Sequence, residues 1–186
     1  MDCYVDIQVL PGDELKPSHI INALFTRLHQ RLARLKRDDV GVSFPNANEL
    51  SPSLGTLLRI HGRRDSLELF MGENWFGGLN GHIDVGRVTD VPVGTKHVIV
   101  KRMQVKSNPE RLRRRQMRRH GITEEEARAR VPDRAIETLH LPFVTTISQS
   151  TGQRFNLFLA HVEVTSAAPG KFNAYGLSQT TTVPSF

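Results

Sequence analysis

Residues 2–10, DCYVDIQVL, alternate apolar and polar positions and place Cys3, Val5, Ile7 and Val9 on one side. A period of two over this length predicts a half-buried strand. The period then changes. Between Ser18 and about Lys36, Ile21, Leu24, Phe25, Leu28, Leu32 and Leu35 recur at three- and four-residue spacing, which predicts an amphipathic helix capped by Ser18. Strands are expected at DVGVSFP (39–45), LLRIHG (57–62) and HIDVGRV (82–88), with a short helix over 65–70.

The order β-α-β-β-α-β is that of a ferredoxin-like, RRM-like domain, expected over residues 1–94 and closed by VPVG at 91–94. A second domain is expected over 95–186. It opens on a strand, KHVIVKRMQVK (96–106), and contains a helix at TEEEARARV (123–131). Thr123 and Glu126 stand three apart, the spacing of a capping box, and Pro132 limits the far end. PFVTTISQ (142–149) and RFNLFLAHVEV (154–164) predict a hairpin turning at 150–153, and KFNAYGLS (171–178) a last strand. The fold class is α+β: an N-terminal ferredoxin-like domain and a C-terminal α+β domain with an arginine-rich helix.

Charge changes this picture. From Lys96 to Arg119 there are ten Lys/Arg residues against one acid, Glu110, while the rest of the chain carries 15 basic and 18 acidic residues. The formal net charge of +6 therefore arises in one segment. Such clustering points to a polyanion, nucleic acid before membrane surface. No apolar run approaches a spanning length, and MDCYVDIQVL lacks the basic and apolar blocks of a secretory leader, so a cytoplasmic protein is expected. Cys3 is the one cysteine, which excludes an internal disulfide and a cysteine zinc site; it reads as a small buried strand residue.

SNPERLRRRQMRRHG (107–121) holds six arginines between Arg111 and Arg119. Asn108 before Pro109 is a helix start, and Gly121 a helix stop. At 100° per residue Arg111, Arg114, Arg115 and Arg118 share one face, while Leu112 and Met117 do not align. A helix without an apolar stripe gains little from a core, and its like charges repel. The alternatives are a solvated helix and a ligand-facing one; caps at both ends and a one-sided arginine face favour nucleic acid. RNA's narrow major groove admits a helix only where it opens, near a loop, a bulge or the end of a short stem, so a hairpin is the better target. Arg102 and Gln104, two apart on an expected strand and roughly 6.6 Å from each other, suit the edges of guanine and adenine. A plain exposed polar strand face remains open at this point.

VGVSFP (40–45), KSNPERLRRR followed by MRRH (106–120), EEEAR (124–128), and LPFVT, SQSTGQ and Phe155 (141–155) resemble the CRISPR repeat-processing endoribonuclease of type I-F systems. The resemblance is densest between Val105 and Phe155. It implies an RRM-like N-terminal domain, a C-terminal arginine helix, and cleavage of precursor CRISPR RNA at the 3′ base of each repeat hairpin. It further implies that the product stays bound and that the protein sits beside the backbone and other subunits of the surveillance complex. By this resemblance His29, in LHQ, is the catalytic histidine, Ser148 the serine and Tyr175 the tyrosine. It places RNA contacts on Arg102, Gln104, Arg114, Arg115, Arg118, Arg119 and, stacked under the last stem pair, Phe155; Arg111 on the same helix face, His120, and Ser150 close to Ser148 are further candidate contacts. The chain departs from the pattern in its ending, TTTVPSF, where Ser185 replaces an aromatic residue.

Taken alone, His29 lies about 80° around its helix from the apolar stripe, at the edge of the buried face, where structural histidines are common. On the same footing His61, His82, His97, His120, His140 and His161 read as structural. An imidazole with an ordinary pKa near 6.5 is largely neutral at pH 7 and suits a base for a 2′-hydroxyl. Ser148 can hold that hydroxyl, and no Ser-His-Asp arrangement makes it a nucleophile. No acidic cluster suggests a metal site; Glu124, Glu125 and Glu126 belong to a helix start. No cofactor is expected. The reaction implied is metal-independent, leaving a 5′-hydroxyl and a 2′,3′-cyclic phosphate or 3′-phosphate. The other reading is a non-catalytic RNA-hairpin-binding subunit.

Overall fold

The computed structural model describes residues 1–48, 50–104, 109–131, 140–147 and 152–186. It forms two compact units: 1–103 with 141–186, and 104–140. The elements in chain order are β1 (Cys3–Val9), α1 (Pro17–Leu35), β2 (Gly41–Ser43), β3 (Leu57–Gly62), α2 (Arg64–Met71), β4 (Ile83–Val85), β5 (Thr89–Asp90), β6 (Lys96–Met103), α3 (Pro109–His120), α4 (Glu124–Arg130), β7 (Phe143–Ile147), β8 (Arg154–Val164) and β9 (Val183–Ser185). Helices and antiparallel sheets together make the class α+β.

In the larger unit, the first sheet runs β2-β3-β1-β4, with β5 also pairing β1, and each pairing is antiparallel. The period-two pattern of β1 is realised in full: Cys3, Val5, Ile7 and Val9 are buried and alternate with half-buried residues. Against this sheet α1 packs Ile20, Ile21, Leu24, Phe25, Leu28 and Leu32. Its start differs from expectation. Lys16 is the N-cap, without a side-chain cap bond, and Pro17 occupies the first helical position; fixed φ and a dispensable N–H suit proline there, so Ser18 falls inside the helix.

The second sheet, β7-β8-β6-β9, is also antiparallel. The two sheets meet at β2 and β9. Gly41 makes that approach possible: a Cβ there would lie 2.7 Å from Val183 Cγ1 and 2.8 Å from the Phe172 ring. The same α1 is tied to β7, since Thr145 N–H donates to Asn22 Oδ1 at 3.1 Å and Thr26 and Thr146 hydroxyls meet at 3.4 Å.

Two further expectations are corrected. Residues 171–178 form turns rather than a strand. The strand of 96–106 ends at Met103, so the alternation that aligned Gln104 with Arg102 does not extend to Gln104. The altered C-terminus is packed: Arg59 lies 3.9 Å from the Phe186 ring centroid, donates to the Phe186 carbonyl at 2.9 Å and grips Asp6 through two bonds of 2.7 and 2.8 Å.

In the smaller unit α3 packs on α4. The capping box of α4 is complete, with Glu126 N–H donating to Thr123 Oγ1 and Thr123 N–H to Glu126 Oε2. Gly121 takes φ +61° and its N–H donates to the Met117 carbonyl, the left-handed stop expected of it.

Candidate active site

His29 sits on α1 with its ring half-buried. Its Nδ1 lies 2.7 Å from the Ala174 carbonyl oxygen. A carbonyl only accepts, so Nδ1 carries the proton in the neutral ring and Nε2 keeps a free lone pair. The Tyr175 ring covers one face of the imidazole, with centroids 3.9 Å apart and planes inclined by 9°. Phe25 stacks behind Tyr175 at 6.1 Å. One turn thus fixes both the tautomer and the plane of His29.

That turn is built locally. Asn173 Oδ1 accepts from Tyr175 N–H at 2.8 Å and from Leu177 N–H at 3.3 Å, an Asn-based turn of the kind its side chain favours. Gly176 N–H donates to the Asn173 carbonyl, and the Gly176 carbonyl accepts from Val42 N–H at 3.0 Å. Gly176 has φ +70°, and a Cβ there would stand 2.9 Å from Val42 Cγ1. The turn is therefore moored to β2. Ser148 and Ser150 lie outside the described residues.

On the second sheet, Arg102 and Phe155 come together: the guanidinium lies over the Phe155 ring at 5.6 Å, and the Arg102 carbonyl accepts from Gln179 Nε2 at 3.3 Å. Phe155 is partly buried against the core. Gln104 is exposed beyond the end of β6.

On α3, Arg114, Arg115, Arg118, Arg119 and the terminal His120 are exposed, and among the described residues no acidic side chain pairs with the four arginines. Pro109 and Arg111 are helical, though the side chain of Arg111 lies outside the described residues. Sequence reasoning missed Arg113. It is 9% exposed and its Nε donates to the Val131 carbonyl at 2.8 Å. Helical arithmetic holds the signal, because Arg113 falls about 200° from Arg111, opposite the arginine face.

His61 and His161 are structural, as expected. His61 is fully buried with Nε2 2.8 Å from Ser43 Oγ; burial, then the Arg59 charge, push its pKa down to about 3. His161 Nε2 accepts from Phe44 N–H at 3.2 Å, and burial lowers its pKa to about 4. Among the described residues no three His, Cys, Asp or Glu side chains gather as metal ligands, and no helix is long and apolar enough to cross a membrane.

The fold and site define an α+β protein with an oriented imidazole on one helix and, among the described residues, an arginine face without acidic partners on another. Residues 4–186 match the family model described as CRISPR-associated protein (Cas_Csy4). The chain is 48% identical over 188 residues to a "CRISPR-associated endonuclease Cas6/Csy4" of Pseudomonas aeruginosa (strain UCBPP-PA14), covering 100% of both chains. It is 38% identical over 187 residues to a protein of the same description from Escherichia coli (strain UTI89 / UPEC), again covering 100% of each. The chain belongs to the Cas_Csy4 family of CRISPR-associated proteins.

Proposed function

We propose that this protein is a metal-independent endoribonuclease that cleaves precursor CRISPR RNA at the 3′ base of the repeat hairpin and keeps the product bound. The observation that carries this reading is the His29 Nδ1 bond to the Ala174 carbonyl, which leaves Nε2 as the basic nitrogen. In the reaction Nε2 takes the proton of the 2′-hydroxyl, the 2′-oxygen attacks phosphorus, and the bond to the 5′-oxygen breaks as that oxygen takes up a proton from solvent. The fragments carry a 2′,3′-cyclic phosphate, or the 3′-phosphate formed by its hydrolysis, and a 5′-hydroxyl. Ser148 places the 2′-hydroxyl, and Tyr175 holds the imidazole plane.

The exposed arginines of α3, with Arg111, Gln104, His120 and Ser150, supply the hairpin contacts, while Arg102 and Phe155 read and cap the foot of the stem. The name of the relatives, CRISPR-associated endonuclease Cas6/Csy4, supports the RNA assignment. The protein acts in the cytoplasm beside the backbone subunits of a type I-F surveillance complex.

The test is cleavage of the matching repeat RNA in excess EDTA. Wild type cuts, and His29→Ala loses about 10²–10⁴-fold in rate, the usual contribution of a positioned acid–base group, with hairpin affinity within a few-fold. Binding without any cut by the wild type would instead make the chain a non-catalytic hairpin-binding subunit.

A further inference from the structure

A trough runs along α1; His29 does not line it, but its helical neighbours Thr26 and Gln30 do. One part, about 440 Å³, is lined by Arg27, Gln30, Thr146 and Arg154. The next, about 350 Å³, is lined again by Arg27 and Gln30, and by Arg34 and Trp75. The two share Arg27 and Gln30 and form one path along α1 that passes Gln30, the residue after His29. Its charge is positive. Arg27, Arg31, Arg34 and Arg154 face one carboxylate, Glu73, which Arg31 and Arg34 both hold.

Two donors in this path lack a partner among the described residues: Arg27 Nη1 and Trp75 Nε1, both buried. Both can only donate, so what they lack is an acceptor. The Arg27 guanidinium rests over the Gly77–Gly78 turn, where a Cβ at Gly77 would come 3.3 Å from Nη1. This resting pose desolvates a charged donor without pairing it, so a shift toward an anion in the trough removes a cost. A chain of acceptor oxygens fits the trough, since a positively charged groove that tracks the backbone is the usual electrostatic element of single-strand binding.

We propose that the trough takes the single strand leaving the hairpin on the 3′ side of the cut, with phosphates on Arg27 and Arg34. This rests on the function proposed above: the strand whose phosphate reacts at His29 continues covalently past that residue, whereas the 5′ flank enters at the opposite strand of the stem foot. The product lacks the downstream strand, so the trough acts on substrate and not on retained product.

Binding of RNAs blocked by a 2′-deoxy nucleotide before the cut tests this. A bare hairpin is compared with hairpins carrying about six extra nucleotides, a typical single-strand site size, on the 3′ or the 5′ side. The 3′ extension should tighten wild-type binding at least fivefold and steepen the salt slope by about 0.7 per phosphate contacted. Arg27→Gln with Arg34→Gln should abolish that gain; Arg154→Gln, at an exposed strand position, should reduce it. A gain that is absent, that comes from the 5′ flank, or that survives in the double variant overturns the inference. Such a result with the bare hairpin still bound leaves the proposed function standing; failure of the wild type to bind the bare hairpin overturns both.

Discussion

Three histidines show how neighbours divide one side chain into different uses. His29 is half-buried, with one nitrogen committed to a carbonyl and one face to a ring. If stacking by Tyr175 is what positions it, Tyr175→Phe keeps the ring and should cleave within about threefold of wild type, whereas Tyr175→Ala should lose about tenfold, the scale of one aromatic pair. Single-turnover rates decide it, and an equal loss in both variants would assign the role to the hydroxyl. His61 and His161 are buried neutral. Above about pH 6.5 they are neutral in folded and unfolded chains alike and contribute no proton-linked term. Below it the unfolded chain binds protons that the folded chain does not take until about pH 4 for His161 and about pH 3 for His61. Stability therefore falls on acidification, by about 1.4 kcal/mol per pH unit for each histidine. Urea midpoints between pH 7 and 5 should show this, and His161→Gln should remove its share of the slope. A slope unchanged in that variant would mean that other groups drive the loss.

At the scale of elements, α3 divides its arginines by direction. Arg113 holds α4 through the Val131 carbonyl, while Arg114 and Arg118 are exposed. Arg113→Ala should cost about 1–3 kcal/mol, as for a charged donor removed from a buried bond, read as faster amide exchange across residues 109–131. Arg114→Ala and Arg118→Ala should leave exchange unchanged and reduce the salt slope of hairpin binding by about 0.7–0.9 per lost contact. The helix and its glycine stop were legible because capping chemistry is local. The role of Arg113 was only half legible: helical arithmetic sets it opposite the arginine face, but its acceptor, the Val131 carbonyl, is known only once α4 packs beside it. The same limit explains the strand expected at 171–178. Its alternation is weak, and the decisive fact, φ +70° at Gly176, becomes visible only once the turn meets β2. β5 and β9, of two and three residues, are too short to show an alternation of their own.

At the scale of the molecule, the site in the larger unit is assembled from distant parts of the chain. His29 comes from α1, the turn that orients it from residues 173–177, and the mooring of that turn from Val42 on β2. The sequence named His29 and Tyr175 through family resemblance, but the carbonyl of Ala174, which sets the tautomer, leaves no trace in any motif because every residue has one. Gly176→Ala tests the assembly as a whole. The new Cβ enters a left-handed conformation, costing about 1–3 kcal/mol, and meets Val42 Cγ1 at 2.9 Å, so the turn must lift from β2. Ala174 then retreats from Nδ1 and the Tyr175 ring from the imidazole. A misplacement of about 1 Å at a reacting group costs on the order of 10²-fold. Cleavage at saturating protein should fall by that order, while hairpin affinity, proposed above to rest on the arginines of the smaller unit, should change less than threefold. Val42→Ala in the same chain removes the atom that the new methyl meets and should recover part of the rate, although it leaves the φ cost in place. Rate and affinity falling together in Gly176→Ala would show instead that this turn supports binding of the hairpin as well as the chemistry.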